Sequence, residues 1–244
     1  HIEQQLPMVR ILDLPDDPTL YSRALLVSPF IENPSVTEED KKRVASYRAR
    51  GKVQEMFTKF EKIEEFYTSL DTTLFIEPVS AGTLARVVQL INKTNQFNVT
   101  SHRYSADQIE TMNADPGVSV LVIGSSDRFS QRENIGVLIV KWDAPTPQYA
   151  LIDTFLLSCR VLGRGIEAGI LGWLADAARR RDMISITGHI VETERNTPIR
   201  RIFADHQFLF DEESESWILK LSTTDLSKPS WISYGETPAE PVSA

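Results

Sequence analysis

The residues best equipped for chemistry cluster at one joint, Cys159-Arg160-Val161-Leu162-Gly163-Arg164-Gly165-Ile166-Glu167. An Arg-x-x-Gly-x-Gly loop there leads straight into a helical run. The first turn of a helix has four N–H groups without intrahelical partners, and the helix dipole adds positive potential at that end. Glycines let the backbone close on a ligand with no Cβ in the way. A nest of this kind, with Arg160 and Arg164 adding charge, suits a pyrophosphate. The loop follows an antiparallel hairpin rather than opening a βαβ unit, which argues against a dinucleotide-binding fold. The plainer reading is a glycine turn with no ligand.

Cys159 is the only cysteine in the chain. It ends an apolar strand beside two arginines and a helix start, a setting that lowers a thiol pKa from about 8.5 and favours the thiolate. Thiol–thioester exchange is nearly isoenergetic, so such a cysteine can hold an acyl group. The alternative is a small packed hydrophobe. His102, in the polar loop Thr100–Tyr104, and His189, on the strand 184–191, are the candidate bases. Alternation puts Gly188 and Ile190 on the face opposite His189, and puts Asp153 on one face with Phe155, Leu157 and Cys159. Asp153 can therefore reach a pocket on that face or make a sheet-edge hydrogen bond. Six polar residues crowd one helix end between Asn92 and Asn98. Of these, Asn95, Gln96 and Asn98 can line a polar site. No His, Cys, Asp or Glu set has metal-ligand spacing, so no metal is expected.

The elements that position these residues are legible from hydrophobic periodicity. VSVLVIGS (118–125), IGVLIVKWD (135–143) and YALIDTFLLS (149–158) read as three strands, the last two joined by a turn at 143–147. Strand 73–79 precedes them, followed by helices at 81–94 and 105–112, the second capped by Ser105. A helix at 163–181, a fifth strand at 184–191, a helix at 197–205 and short strands at 208–210 and 217–221 complete the order. This predicts an α+β fold with a mixed, mostly antiparallel sheet over residues 72–222. Residues 1–71 read as the end of an upstream domain and a helical linker, with a lone strand at 6–15 and a helix opening at Thr37. Residues 223–244 read as a flexible tail or linker.

The 244 residues carry 34 acidic against 26 basic side chains, a net charge of −8. That balance argues against general nucleic-acid binding, which needs a basic footprint. No apolar run reaches the length of a membrane span, and no secretory signal opens the chain. A lone cysteine precludes an internal disulfide framework and suits a reducing compartment, so a cytoplasmic protein is expected.

Two features resemble GNAT acyltransferases. One is the Arg160–Gly165 loop. The other is Asn196 at a helix start after the fifth strand, with an aromatic residue seven positions later. The resemblance implies that the fourth and fifth strands splay and that a pantetheine arm pairs with the exposed edge, its phosphates at Arg160, Val161, Leu162, Gly163, Arg164 and Gly165. Asn196 would also contact the cofactor. It places the thioester carbonyl near 157–159. The runs INKTNQFNVTSHRYSADQI (91–109), SDRF (126–129), IGVLIV (135–140) and IDTFLLSCRVLGRGIE (152–167) are similar to the C-terminal half of FkbH-like proteins, and LPDDPTLYSRAL and PSVTEED extend the likeness over about 6–210.

That resemblance implies a GNAT-like domain behind a haloacid-dehalogenase-like (HAD-like) phosphatase domain. It also implies transfer of a glyceryl or related three-carbon acyl group to an acyl carrier protein in polyketide biosynthesis. The phosphatase nucleophile loop would lie upstream of His1, so the sequence is expected to be a piece of a longer protein. Cys159, His189 and Asp153 are the expected catalytic residues, Asn95, Gln96 and Asn98 the expected contacts of the hydroxylated acyl group, and CoA or carrier-bound phosphopantetheine the expected cofactor. The departures from the pattern are Ser130–Asn134 for Gly-Asp-Asn-Gly, His102 where the family often has Arg, and Phe203 where amine-acetylating enzymes have Tyr. The alternative function is a non-catalytic docking module for CoA or a carrier protein.

Overall fold

The computed structural model describes residues 14–26, 51–53, 56–58, 60–142 and 148–235. The chain divides into two compact units, His1–Ala45 and Ser46–Ala244. In the first, a 3₁₀ turn at Pro18–Leu20, capped by the Asp17 side chain, runs into α1 (Tyr21–Leu26). The expected strand at 6–15 falls almost wholly outside the described residues, as do the helix start at Thr37 and the turn at 143–147.

The second unit holds an eight-stranded sheet among the described residues. Its strands are β1 (Thr72–Pro78), β2 (Val118–Asp127), β3 (Ser130–Trp142), β4 (Tyr149–Leu157), β5 (Ser185–Gly188), β6 (Leu209–Asp211), β7 (Ser216–Lys220) and β8 (Ile232–Tyr234). The order across the sheet is β6-β7-β5-β4-β3-β2-β1-β8. All neighbours are antiparallel except β4–β5 and β1–β8. The expected α+β fold with a mixed, mostly antiparallel sheet is therefore present.

The helices of this unit include α2 (Ile63–Leu70), α3 (Ala81–Lys93), α4 (Ala106–Asn113), α5 (Ile166–Arg180) and α6 (Ile202–Asp205). Capping boxes at Ser80/Thr83 and Ser105/Gln108 start α3 and α4 and satisfy first-turn N–H groups. Val87, Leu90, Ile91 and Ile109 pack on one sheet face against Val120, Val122, Val137, Ile139 and Leu156. On the other face α5 sinks Ile170, Leu171 and Leu174 into a larger core with Leu138, Ile152, Phe155 and Phe203. Seen this way, α5 is buried along most of its length and fixes the loop that precedes it.

Two boundaries differ from the sequence expectation. Helix α2, assigned there to an upstream linker, belongs to the same compact unit as the sheet. Its Phe66 and Leu70 are buried, Leu70 O accepts the Arg128 N–H, and the Tyr67 ring lies 5.4 Å from that of Trp231. Within the expected tail at 223–244, the chain returns to the sheet, because β8 pairs in parallel with β1 and Ile232 is buried. A Ser/Pro/Thr-rich composition conceals so short an edge strand. Residues 236–244 lie outside the described residues.

Phe203 is fully buried against Phe208 and Trp217, and it sits over Gly188 with no room to spare. A Cβ at Gly188 would lie 2.4 Å from the Phe203 ring. Gly188→Ala is therefore expected to destabilise the unit by about 1–3 kcal/mol through overpacking. Urea unfolding measures it, and a midpoint equal to wild type would mean that the ring moves freely.

Candidate functional site

Strand β4 pairs with β5 for only four residues, Tyr149–Ile152 against Ser185–Gly188. The two strands part where β4 carries an extra residue. Ile139 of β3 faces Thr154 while Val140 faces Ile152, so Asp153 is the unpaired residue of a β-bulge. The bulge also resets the faces. Ile152, Phe155 and Leu157 all join the core under α5, whereas Leu156 points to α3 and α4. Asp153 does not share a face with Phe155 and Leu157, as strict alternation predicted.

The Asp153 carboxylate is buried at the centre of a polar cluster. Its Oδ1 accepts from Lys141 Nζ at 2.5 Å. Its Oδ2 accepts from the Tyr104 hydroxyl at 2.8 Å and from Thr154 Oγ1 at 3.0 Å. The His102 ring brings Nδ1 to 3.2 Å from Tyr104 Oη and 3.5 Å from Asp153 Oδ2. Burial by itself raises the Asp153 pKa, but the bonds from Lys141, Tyr104 and Thr154 outweigh it and leave the carboxyl below its ordinary value. Burial, then Asp153, push the Tyr104 hydroxyl well above the usual tyrosine range.

Beyond the splay, the free edge of β4 is taken by the chain itself. Leu157 N–H donates to Phe97 O and Val99 N–H to Phe155 O, both at 3.1 Å, with Asn98 bridged to Leu156. Thr100 Oγ1 donates to Asp153 O at 2.8 Å. On the other side, Val191 N–H donates to Val99 O at 2.8 Å. Residues 97–99 thus fill the wedge between β4 and the chain leaving β5. Two fully buried amides hold them there. Asn196 donates to Val191 O and Asn98 O and accepts the Thr193 N–H, while Asn98 accepts the Ser101 N–H.

At the far end of β4, Ser158 caps a 3₁₀ turn at Cys159–Val161, and the loop then enters α5. Gly163 and Gly165 have φ of 77° and 67°, the left-handed region in which a Cβ is strained. A Cβ on Gly163 would meet nothing within 4 Å, so the backbone there is open to approach. On Gly165 it would lie 2.9 Å from the Tyr67 ring, so that glycine is needed for packing as well.

The arginines tie this loop to the β2–β3 hairpin. Arg164 is 4% exposed and ion-paired with Asp127, and Arg160 bridges Glu133 and Ser158. A pocket of about 20 Å³ lies between them, room for about one water. In the first turn of α5, Glu167 Oε2 is buried without a hydrogen-bond partner. Burial pushes that carboxyl up.

The expected site residues thus divide. Asp153 sits on the bulge with His102, Tyr104 and Lys141. Cys159 is partly exposed six residues along, on the order of 15–20 Å away at about 3.3 Å per residue. His189 and Asp153 each follow the last paired position of their strands, yet His189 is exposed with Nδ1 3.3 Å from Glu215 O. The structure does not gather Cys159, His189 and Asp153 into one group. Asn98 and Asn196 spend their amides on backbone groups of the fold. Asn95 accepts from Arg103, and Gln96 is exposed. The sequence reading missed Lys141 and Tyr104. The signal available was one charge inside an otherwise apolar run, IGVLIVKW, and a tyrosine two residues after His102.

No family model and no curated protein matches the sequence. Among solved structures, the GNAT domain of S. lividans PAT is 16% identical, with TM-score 0.46 over 59% of this chain and 89% of its own. A spermidine N-acetyltransferase from Vibrio cholerae, solved with CoA and spermine, is 13% identical, with TM-score 0.47 over 62% and 96%. Ard1 from Thermoplasma volcanium is 16% identical, with TM-score 0.44 over 60% and 95%. No helix among the described residues is long and apolar enough to cross a membrane.

Because the folded Asp153 pKa is depressed, its contribution to stability is present above the ordinary value of 3.8 and is lost as pH falls through the folded value. The stability gap between wild type and Asp153→Asn should therefore be constant from pH 7 to about 5 and shrink below about 4. Urea midpoints across that range measure it, and a gap independent of pH would mean that Asp153 is not held as a carboxylate.

Proposed function

We propose that this chain is an acyltransferase domain of the GNAT type, acting on an acyl group carried as a thioester on CoA or a phosphopantetheine arm. The observation that carries the reading is the parting of β4 from β5 at a bulge, with a glycine loop and helix N-terminus at the end of the same strand. Bulges re-aim side chains and often adjoin active sites. The resemblance to FkbH-like proteins supplies the finer reading. In it a glyceryl-type three-carbon group moves to the phosphopantetheine thiol of an acyl carrier protein in polyketide biosynthesis, beside a HAD-like domain.

The loop fits phosphates in part. Gly163 is open to approach, and the first turn of α5 offers backbone N–H groups, although the buried Glu167 carboxyl shares that turn. The edge of β4 does not fit an arm as it stands, because residues 97–100 hold the Leu157 N–H and the Phe155 and Asp153 carbonyls. Gly163 and the first turn of α5 would hold the phosphates, and the acyl group would lie toward the bulge. Cys159 is then too far from the Asp153 cluster to share a step with it, so the proposed transfer is direct rather than through a Cys159 thioester.

A second reading has its own support. A filled β4 edge, and a buried Phe203 with no proton to donate, suit a module that only docks a carrier protein. Intact mass after incubation with glyceryl-CoA and holo-carrier protein separates the two, since only the acyltransferase yields glyceryl-carrier.

Gly163→Val is expected to weaken CoA binding about tenfold, roughly 1.4 kcal/mol, by closing the open backbone. Calorimetry measures it, and unchanged affinity places the phosphates elsewhere. Cys159→Ser should transfer at close to the wild-type rate with no acyl-protein adduct by mass. Loss of transfer in that variant would restore the cysteine as the acyl carrier.

A further inference from the structure

The cluster on the β4 bulge has a proton order that its geometry fixes. Tyr104 Oη stands between two partners, Asp153 Oδ2 at 2.8 Å and His102 Nδ1 at 3.2 Å. A tyrosine hydroxyl has one proton to give. The ionised Asp153 carboxylate only accepts, so the Tyr104 proton goes to it. The Tyr104 oxygen then has lone pairs to offer, and the His102 nitrogen beside it must be the donor, Nδ1–H. Asp153 Oδ2, 3.5 Å from the same nitrogen, favours a proton there as well.

The consequence falls on the other ring nitrogen. In the neutral ring, with the proton on Nδ1, the lone pair is on Nε2. The His102 side chain is 47% exposed while Asp153 is 3% exposed. A buried carboxylate thus orders an open imidazole through a hydroxyl. The Lys141 ammonium balances the carboxylate charge from β3, and Thr154 donates to it from β4. This is the arrangement of a base oriented by a third group.

We propose that His102 is the general base of the acyl transfer, using Nε2 to take the proton of the acceptor thiol, with Tyr104 and Asp153 as positioning residues. The proposal rests on the acyltransferase reading. In the step, the S–H bond of the acceptor breaks and its proton goes to Nε2 while sulfur bonds to the acyl carbon. The C–S bond to the donor then breaks, and the donor sulfur leaves as a thiolate that takes the proton back from the imidazolium. A glutamine at 102 has no lone pair basic enough for this.

Two measurements test it on the intact chain. Long-range ¹H–¹⁵N spectra of the four histidines, with His102 identified by its absence in His102→Gln, report the tautomer without any substrate. A proton on Nδ1 in wild type, giving way to a mixture in Tyr104→Phe and Asp153→Asn, is the expected result. A proton on Nε2 overturns the proposal. The second measurement is steady-state transfer from glyceryl-CoA to pantetheine. His102→Gln should lower kcat by about 10²–10⁴ with KM unchanged. A wild-type kcat in His102→Gln sinks the base and leaves the acyltransferase standing. A wild type that transfers nothing overturns the acyltransferase reading and the base with it.

Discussion

One extra residue in β4 governs this molecule. An ordinary strand at the position of Asp153 would keep β4 in register with β3 and parallel to β5 along its length. The bulge ends the β4–β5 pairing after Ile152 and turns the following side chains over. A buried carboxylate at a bulge costs desolvation, and three donors offset it here: Lys141, Tyr104 and Thr154. The polar cluster and the opening of the sheet are therefore one feature. Removing either leaves the other without support.

The opening creates a second demand. Strands that part in the middle of a sheet expose N–H and C=O groups that must find partners. Residues 97–100 supply them for β4, and Val191 is served from the other side of the same segment. Asn98 and Asn196, both fully buried, close the remaining valences. Each unmet buried group would cost about 1–3 kcal/mol, so the polar run Asn-Gln-Phe-Asn-Val-Thr belongs to the fold's hydrogen-bond accounting. Its asparagines resemble ligand contacts in sequence because amides serve both tasks with the same atoms.

The loop before α5 shows a similar exchange of roles. Two arginines beside two glycines suggest charge waiting for an anion. In the folded chain the Arg164 guanidinium is buried on Asp127, and Arg160 reaches Glu133. Breaking such a buried pair costs about 3–5 kcal/mol. These arginines fasten the loop to the hairpin, and what remains for a ligand is backbone: an open glycine and the first turn of a helix.

The sequence alone determined the α+β class, the antiparallel β2–β3–β4 core, the helices α3 and α4 with the Ser105 cap of α4, and the glycine loop at the start of α5. Each of these follows from local rules: period-two apolar runs, Ser caps, and glycine where φ is positive. It also located Asp153 and His102 as chemically capable residues. It misjudged the face of Asp153, because alternation holds only while register holds, and a bulge leaves no local mark in the run YALIDTFLLS. It overlooked β8 for the related reason that a three-residue edge strand is made by its partner, β1, rather than by its own composition. Tertiary structure decided which polar residues are functional candidates and which are fasteners. Asn98, Asn196 and Arg164 became fasteners because folding buried them, and a buried polar group must be satisfied by whatever lies nearest. His102 sets Nδ1 beside Tyr104 while its side chain stays half exposed, because only the folded chain brings Tyr104 and Asp153 to it.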